Sequence, residues 1–389
     1  MSLPPKMDIN QPELLWTPEI ARRTKAQVVL EEWKAPDVDT AFENKQEFQS
    51  RSPPANEIWT TLRSRPLSLY YQARSCPPIP FLNEIRNVTS NNRLEEKNSG
   101  HGVCKMGGTV IKFGCAANIV EEAENLLFLA EKRPELRIPT VLALWSTTED
   151  EKIKDPVYCL MMEFIEGIPL NQETFMALPI HAQDTICAKV SSQLRYLREL
   201  PSEGYYGRVH GQGWLSPPPG LDFRSITSQA IVGPFRTYEE FVSAIYRSWQ
   251  VRHAISYNMV EWTPADVEMT AKFMPIFPGW EPNEPKFTWI DPKLRNMIAR
   301  QIKGDDGSED WEVFLIDWEY CAWYPAWVQG LQTESCSGAL IPNPASTNKY
   351  AAHIPYRGGE INSMMRKDFD PDFDMERRAI IVDRNWRFF

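Results

Sequence analysis

The chain has 389 residues, of which 42% are hydrophobic and 12% aromatic, and its formal net charge at pH 7 is −10. This length and composition predict a globular protein with a substantial core and exclude a disordered tail. The negative charge argues against non-specific nucleic-acid binding. The sequence has no apolar run of about 18 residues, so it predicts no membrane span.

The first 77 residues mix short helical patterns with polar and proline-containing stretches. We predict an extension over residues 1–77 that is partly helical or disordered, with its helices packed against the small lobe that follows. The chain start lacks the apolar core of a secretory signal, and seven scattered cysteines without C-x-x-C spacing predict free thiols in a reducing compartment. We therefore expect a cytoplasmic protein.

Residues 102–114, GVCKMGGTVIKFG, predict two strands joined by a turn at Gly107 and Gly108, with Lys112 on the second strand. The segment that follows, NIVEEAENLLFLAEKRPEL, has apolar residues at three- and four-residue spacing, which predicts an amphipathic helix. Three carboxylates on this helix are candidate partners for the lysine: Glu121, Glu122 and Glu124.

Residues 155–170, DPVYCLMMEFIEGIPL, predict an apolar strand that leads into an acidic, glycine-containing link. The sequence HAQDTICAKVSSQLRYLRELP, residues 181–201, predicts a long amphipathic helix after that link.

Residues 287–320 place Asp291 five positions before Asn296 and end a later apolar run at Asp317. Two short β-prone runs flank the polar sequence GDDGSED, which predicts a β-hairpin. The hairpin would bring Asn296 and Asp317 to adjacent strand ends.

In this order the segments resemble the aminoglycoside phosphotransferase family, which has the protein-kinase-like fold. The family's catalytic loop usually has the pattern H-G-D-x-x-x-x-N and its metal strand I-D-W/F-E; here WIDPKLRN and LIDWEYCAWYP fill those places. The resemblance covers roughly residues 78–335 and suggests a fungal-type member. It implies a two-lobed α+β fold, with a small antiparallel-sheet lobe over residues 78–165 and a mainly helical large lobe over residues 166–389.

The resemblance also implies the ligands. ATP would lie between the lobes, with Lys112 on its α- and β-phosphates and Glu122 fixing the lysine. Asn296 and Asp317 would hold Mg²⁺, while Asp291 would orient a hydroxyl of a small-molecule acceptor. Backbone groups of the link would hydrogen-bond the adenine edge, and these belong to Glu163, Phe164 and Ile165.

The loop departs from the family pattern at three positions. Trp289 stands in place of the histidine, Ile290 in place of the glycine and Pro292 in place of a common leucine. Three functions therefore stay open: an active small-molecule kinase, a catalytically impaired pseudokinase or binding module, and a kinase-like fold repurposed for a non-phosphoryl reaction in secondary metabolism. The sequence does not identify the acceptor. Helices of the large lobe and residues 201–285 would form its wall, and the tryptophans of this region suggest an apolar lining as readily as a cationic one: Trp214, Trp249, Trp262 and Trp280.

Overall fold

A computed structural model describes residues 22–32, 35–43, 69–88, 94, 101–115, 118–147, 156–214, 233–254, 281–304 and 307–335. The acidic sequence DFDPDFDMERR and the aromatic C-terminal residues lie outside these ranges.

The small lobe is built on a five-stranded antiparallel sheet with the strand order β1-β4-β5-β3-β2. The pair of strands predicted around the Gly107–Gly108 turn is confirmed as β2 and β3. The sheet also includes β1, which pairs with β4 and lies in the range predicted as extension, so the small lobe begins before residue 78. Its strands are β1 (Leu69–Gln72), β2 (His101–Met106), β3 (Thr109–Gly114), β4 (Val141–Thr147) and β5 (Val157–Glu163).

The two faces of this sheet belong to different apolar clusters, because side chains alternate between faces along each strand. On one face, Leu160 and Met162 of β5 pack in the main core with the helix that follows β3, Asn118–Lys132 (α4). On the other face, Ile111 and Met161 pack with the short helix Leu82–Arg86 (α3). Lys112 lies on the strand next to Ile111 and therefore faces α4.

The large lobe follows the link after β5 and combines helices with two small sheets. The predicted hairpin is confirmed as β8 and β9, which pair along their full length, and β6 pairs with β8. The helices are α5 (Gln172–Met176), α6 (Ile180–Arg198), α7 (Tyr238–Ala254) and α8 (Trp327–Ser335). The strands are β6 (Ile168–Pro169), β7 (Pro285–Thr288), β8 (Met297–Lys303), β9 (Glu309–Leu315) and β10 (Ala322–Pro325), which pairs with β7.

The N-terminal helices are α1 (Lys25–Glu32) and α2 (Val38–Glu43). Helix α1 packs against α7 of the large lobe, where Arg23 Nη2, just before α1, donates to Gln250 Oε1 at 2.7 Å. For α1, the expectation of packing against the small lobe is therefore wrong; an isolated amphipathic pattern carries no information about which apolar surface covers it. None of the helices in the described ranges meets the length and hydropathy needed to span a bilayer.

Gly167 allows β6 to approach β8 directly after the link. A Cβ at this position would lie 2.7 Å from the carbonyl oxygen of Ala299 and 2.7 Å from Cγ2 of Ile298. We expect Gly167→Ala to lower the free energy of unfolding by about 1–3 kcal/mol, since the strands must separate to admit the methyl group. Gly108→Ala is the matched control, because nothing lies within 4 Å of its Cβ position. Urea unfolding measures both, and equal stability of the two variants would contradict the expectation.

Candidate active site

A buried lysine joins the two lobes. Lys112 Nζ on β3 lies 2.8 Å from Glu122 Oε2 on α4 and 2.9 Å from Asp317 Oδ1, and 3.5 Å from Glu319 Oε2. The structure thus brings together three of the predicted residues, which come from three separate segments of the chain. Of the three glutamates that the helix offered, Glu122 is the one that reaches the lysine.

The lysine remains protonated in this setting. Burial by itself lowers the pKa of the Lys112 amine, but the neighbouring carboxylates of Glu122, Asp317 and Glu319 outweigh burial and raise the pKa well above its ordinary value. The amine therefore carries its charge throughout the neutral range.

The chain after β9 has an unusual backbone conformation, from which the Asp317 side chain reaches Lys112. Asp317 has a φ of 62° and Tyr320 a φ of 58°, in the left-handed region that residues other than glycine seldom adopt. Two residues of α4 hold this loop through three hydrogen bonds: Asn125 Nδ2 donates to the carbonyls of Trp318 and Cys321, each at 2.9 Å, and the Trp318 N–H donates to Glu122 Oε1 at 3.2 Å. The same helix therefore positions both the lysine partner and the acidic loop.

The carboxylates around Lys112 have the chemistry of a hard-cation site. Oxygen atoms of Glu122, Asp317 and Glu319 all lie within 4.8 Å of one another, and Mg²⁺ prefers oxygen ligands. Glu319 also accepts a hydrogen bond from Asn118 Nδ2 at the start of α4. The residues present thus fit a divalent cation at Asp317, with Glu319 beside it.

The predicted catalytic aspartate, Asp291, lies in the loop between β7 and β8, just before the β8–β9 hairpin begins. Asn296 Nδ2 donates to the carbonyl of Asp291 at 2.9 Å and to its Oδ2 at 3.1 Å. Lys293 Nζ lies 2.7 Å from Asp291 Oδ1, and an Arg295 nitrogen lies 3.8 Å from Oδ2. The Ile316 N–H donates to the carbonyl of Asn296 at 2.9 Å, which ties this loop to the residue before Asp317.

Trp289, which stands where the motif of the resembled family has histidine, contacts the chain just before Asp317. Trp289 is fully buried, its Nε1–H donates to the carbonyl of Ile316 at 3.3 Å, and its ring stacks on Trp318 with centroids 5.9 Å apart. Gln329 on α8 holds the Trp289 backbone from both sides, accepting from its N–H at 2.9 Å and donating to its carbonyl at 3.0 Å. An indole thus connects the catalytic loop to the chain before Asp317.

The link between the lobes has few backbone donors left for a ligand. The N–H of Glu163 donates to Thr140 at 3.0 Å, and the N–H of Phe164 donates to Gly108 at 3.0 Å. Ile165 is the predicted link residue whose N–H donates to no backbone carbonyl in the described ranges. Lys105 Nζ lies 3.5 Å above the Phe164 ring, a cation–π contact that orients the ring beside the link.

The described architecture contains the parts of the kinase fold in order: a five-stranded antiparallel sheet, a lysine on β3 paired to a helix glutamate, a link, and a large lobe with two acidic loops joined by a hairpin. The chain has the protein-kinase-like fold. The expected two-lobed α+β architecture is therefore confirmed.

Neither a scan of protein-family models nor a search of curated proteins finds a match to the sequence. Among solved structures, the chain is similar to a thermostable mutant of aminoglycoside phosphotransferase APH(4)-Ia in its apo form. The identity is 12% and the TM-score 0.48, over 76% of this chain and 84% of that one.

Two further similar structures contain ligands. One is the streptomycin–ATP–APH(2")-IIa ternary complex, at 13% identity and a TM-score of 0.45 over 85% of this chain and 86% of that one. The other is the GDP and kanamycin complex of APH(2")-IIIa, at 10% identity and a TM-score of 0.45 over 79% and 86%. They belong to the family that the motifs resemble, but at these values the likeness carries no argument about activity or substrate. They give no support to a fungal-type member.

Sequence reasoning missed several residues of this site and misplaced another. Lys293 was detectable as a cation two positions after Asp291, whereas Asn118 and Asn125 act through contacts with chain about 200 residues away and leave no local signal. Trp214, predicted in the acceptor wall, is fully buried in the large-lobe core against Phe235 and Tyr324. The other tryptophans predicted there, at positions 249, 262 and 280, have side chains outside the described residues.

The contribution of the Trp289 indole to stability can be measured by substitution. We expect Trp289→Phe to lower the free energy of unfolding by about 2–4 kcal/mol, because it removes buried volume and leaves the carbonyl of Ile316 without this donor. Trp311→Phe is the control: Trp311 is equally a buried indole, but it donates to Glu309, a carboxylate near the hairpin tip. Chemical unfolding compares them, and an equal loss in both variants would show that the Trp289 hydrogen bond has no particular importance.

Proposed function

We propose that the protein is an ATP-dependent phosphotransferase that transfers the γ-phosphoryl group to a hydroxyl of a small molecule. The observation that carries this proposal is the triple contact of Lys112 with Glu122, Asp317 and Glu319 at the junction of the lobes. A buried lysine fixed by a helix glutamate beside an acidic loop is the arrangement that a kinase-like site uses to hold nucleotide phosphates and metal.

Nucleotide binding would use groups from both lobes. Lys112 would exchange its contact with Asp317 for the α- and β-phosphates while Glu122 keeps it in place. The adenine edge would bond to the link, where Ile165 offers its N–H, and the half-buried side chains Val103 and Val110 on the Lys112 face of the sheet would cover the base.

Asp317 and Asn296 would hold Mg²⁺, with Glu319 close by. The metal, when bound, supplies positive charge that offsets the negative charge of the phosphates. The fit rests on the carboxylate oxygens that converge on Lys112. Asn296 presently donates its amide to Asp291, so its oxygen is the atom it would offer to a cation.

Asp291 would orient the acceptor hydroxyl and receive its proton. The acceptor oxygen forms a bond to the γ-phosphorus as the bond from that phosphorus to the β,γ-bridging oxygen breaks, and ADP leaves with the electron pair. Lys293 pairs with Oδ1 of Asp291 and the Asn296 amide donates to its Oδ2, and these contacts hold the carboxylate beside the start of the hairpin.

We expect ATP with magnesium to raise the melting temperature of the wild type. The free energy of unfolding should rise by about 2.7 kcal/mol at a ligand concentration one hundred times Kd. The gain should disappear in Asp317→Ala and persist in Asp310→Ala, a control aspartate that pairs with Lys189 on the outside of the hairpin. A thermal-shift titration with and without magnesium measures this, and no shift at millimolar ATP would overturn the proposal.

Catalysis is separable from binding through Asp291. We expect Asp291→Asn to keep the magnesium-dependent shift but to lose at least about a hundredfold in ATP turnover with a hydroxyl-bearing metabolite panel, since it removes the proton acceptor. A wild type that binds ATP without turnover on any acceptor would favour the binding-module reading, and ATP-independent conversion of a metabolite would favour the repurposed enzyme.

A further inference from the structure

A buried arginine of the large lobe contacts the helix that carries Glu122. Arg208 is fully buried; its Nη2 donates to Glu124 and its Nε lies 3.4 Å from Glu121 Oε1, both on α4. Glu121 is fully buried as well. The two glutamates are three positions apart and lie on one side of the helix, whereas Glu122 points about 100° away, toward Lys112.

The segment that carries Arg208 is fixed to the large lobe. The N–H and carbonyl of Gly207 exchange hydrogen bonds with Trp323 of β10 at 3.0 and 2.8 Å, and Tyr206 does the same with Phe235 at 2.8 and 2.7 Å. A tight turn completes the anchorage: the Arg208 N–H donates to the Gln212 carbonyl at 2.8 Å. Arg208 therefore extends from a rigid part of the large lobe onto α4.

The turn after Arg208 also has an unusual backbone conformation. His210 has a φ of 64° and Gly211 a φ of 69°, and the Tyr205 hydroxyl closes the turn by donating to the Arg208 carbonyl and accepting from the Gly211 N–H, each at 2.7 Å. The His210 ring meets Phe128 of α4 edge-on, with centroids 5.7 Å apart. Backbone in the left-handed region is costly for histidine and persists where the surroundings dictate it.

Cohesion between the lobes does not require these charges. Well-packed apolar residues of similar volume often stabilise a core as much as a buried ion pair, because desolvation opposes the attraction of the charges. A guanidinium that contacts two carboxylates, however, fixes direction as well as distance. One arginine between Glu121 and Glu124 therefore favours a single rotation and height of α4, and so a single position of Glu122.

We propose that Arg208 is a positioning residue of the nucleotide site: it fastens α4 to the large lobe in the one register that presents Glu122 to Lys112. This inference rests on the proposed function for its consequence in ATP binding, but the fastening of α4 is a property of the chain without ligand. Asn125, one turn after Glu121 on the same helix, donates to the loop that carries Asp317, so α4 has a second attachment to the large lobe.

The test uses Arg208→Met, Arg208→Lys and the milder Glu124→Gln in the full chain. Glu131→Gln is the matched control, because Glu131 is on the same helix but pairs with the exposed Lys132. Hydrogen–deuterium exchange without nucleotide compares α4 peptides with those of the β8–β9 hairpin, and calorimetric titration with magnesium and a non-hydrolysable ATP analogue gives Kd.

We expect Arg208→Met to speed exchange of α4 amides at least about tenfold with little change in the hairpin, and to weaken analogue binding at least about tenfold. Arg208→Lys should recover part of both effects, since it keeps the charge but not the two-pronged geometry. Glu124→Gln should change both measurements in the same direction by a smaller factor, and Glu131→Gln should match the wild type.

Unchanged α4 exchange in all three variants, or faster exchange with unchanged analogue Kd, would overturn the inference. If Arg208→Met does not fold, Arg208→Lys and Glu124→Gln decide it by the same two measurements. Failure of the proposed function looks different: the wild type itself would not bind the analogue, while α4 exchange would still show whether Arg208 fastens the helix.

Discussion

The position of one charged amine governs the arrangement of this protein. Lys112 is buried on the small-lobe sheet, and burial of an ammonium is costly unless carboxylates surround it. Its partners come from the small-lobe helix, Glu122, and from the large-lobe loop, Asp317 and Glu319. The lobes are therefore held at the distance at which these three segments meet, and the cleft between them has the charges that a phosphate chain and a cation would require.

Helix α4 of the small lobe contacts the large lobe at several residues and so holds the two lobes together. It supplies Glu122 to the lysine, Asn125 to the loop after Asp317 and two glutamates to the buried Arg208 of the large lobe. A helix held on several faces has little freedom to rotate. The contacts of α4 therefore fix the position from which Glu122 pairs with Lys112.

The loop around Asp291 is tied to the chain before Asp317 by a tryptophan. The indole N–H of Trp289 donates to the carbonyl of Ile316, and Gln329 holds the Trp289 backbone. The ring is accommodated because it stacks on Trp318 in the buried centre of the large lobe. The indole thus links the two acidic segments of the site.

The local elements were predictable from the chain: the β2–β3 turn, the amphipathic α4, the apolar β5 and the hairpin after Asn296 each depend on periodicity and turn residues within a few positions. The sequence also supplied Lys112 and Asp317 by order along a familiar pattern. The family resemblance also pointed to Glu122 among three neighbouring glutamates, and Glu122 is the one that contacts Lys112. The sequence did not predict that α1 packs on the large lobe, that β1 joins the sheet or that Trp214 lies in the core. These outcomes depend on which distant surfaces meet, and desolvated charges and apolar contacts between remote segments leave no periodic signal in the chain.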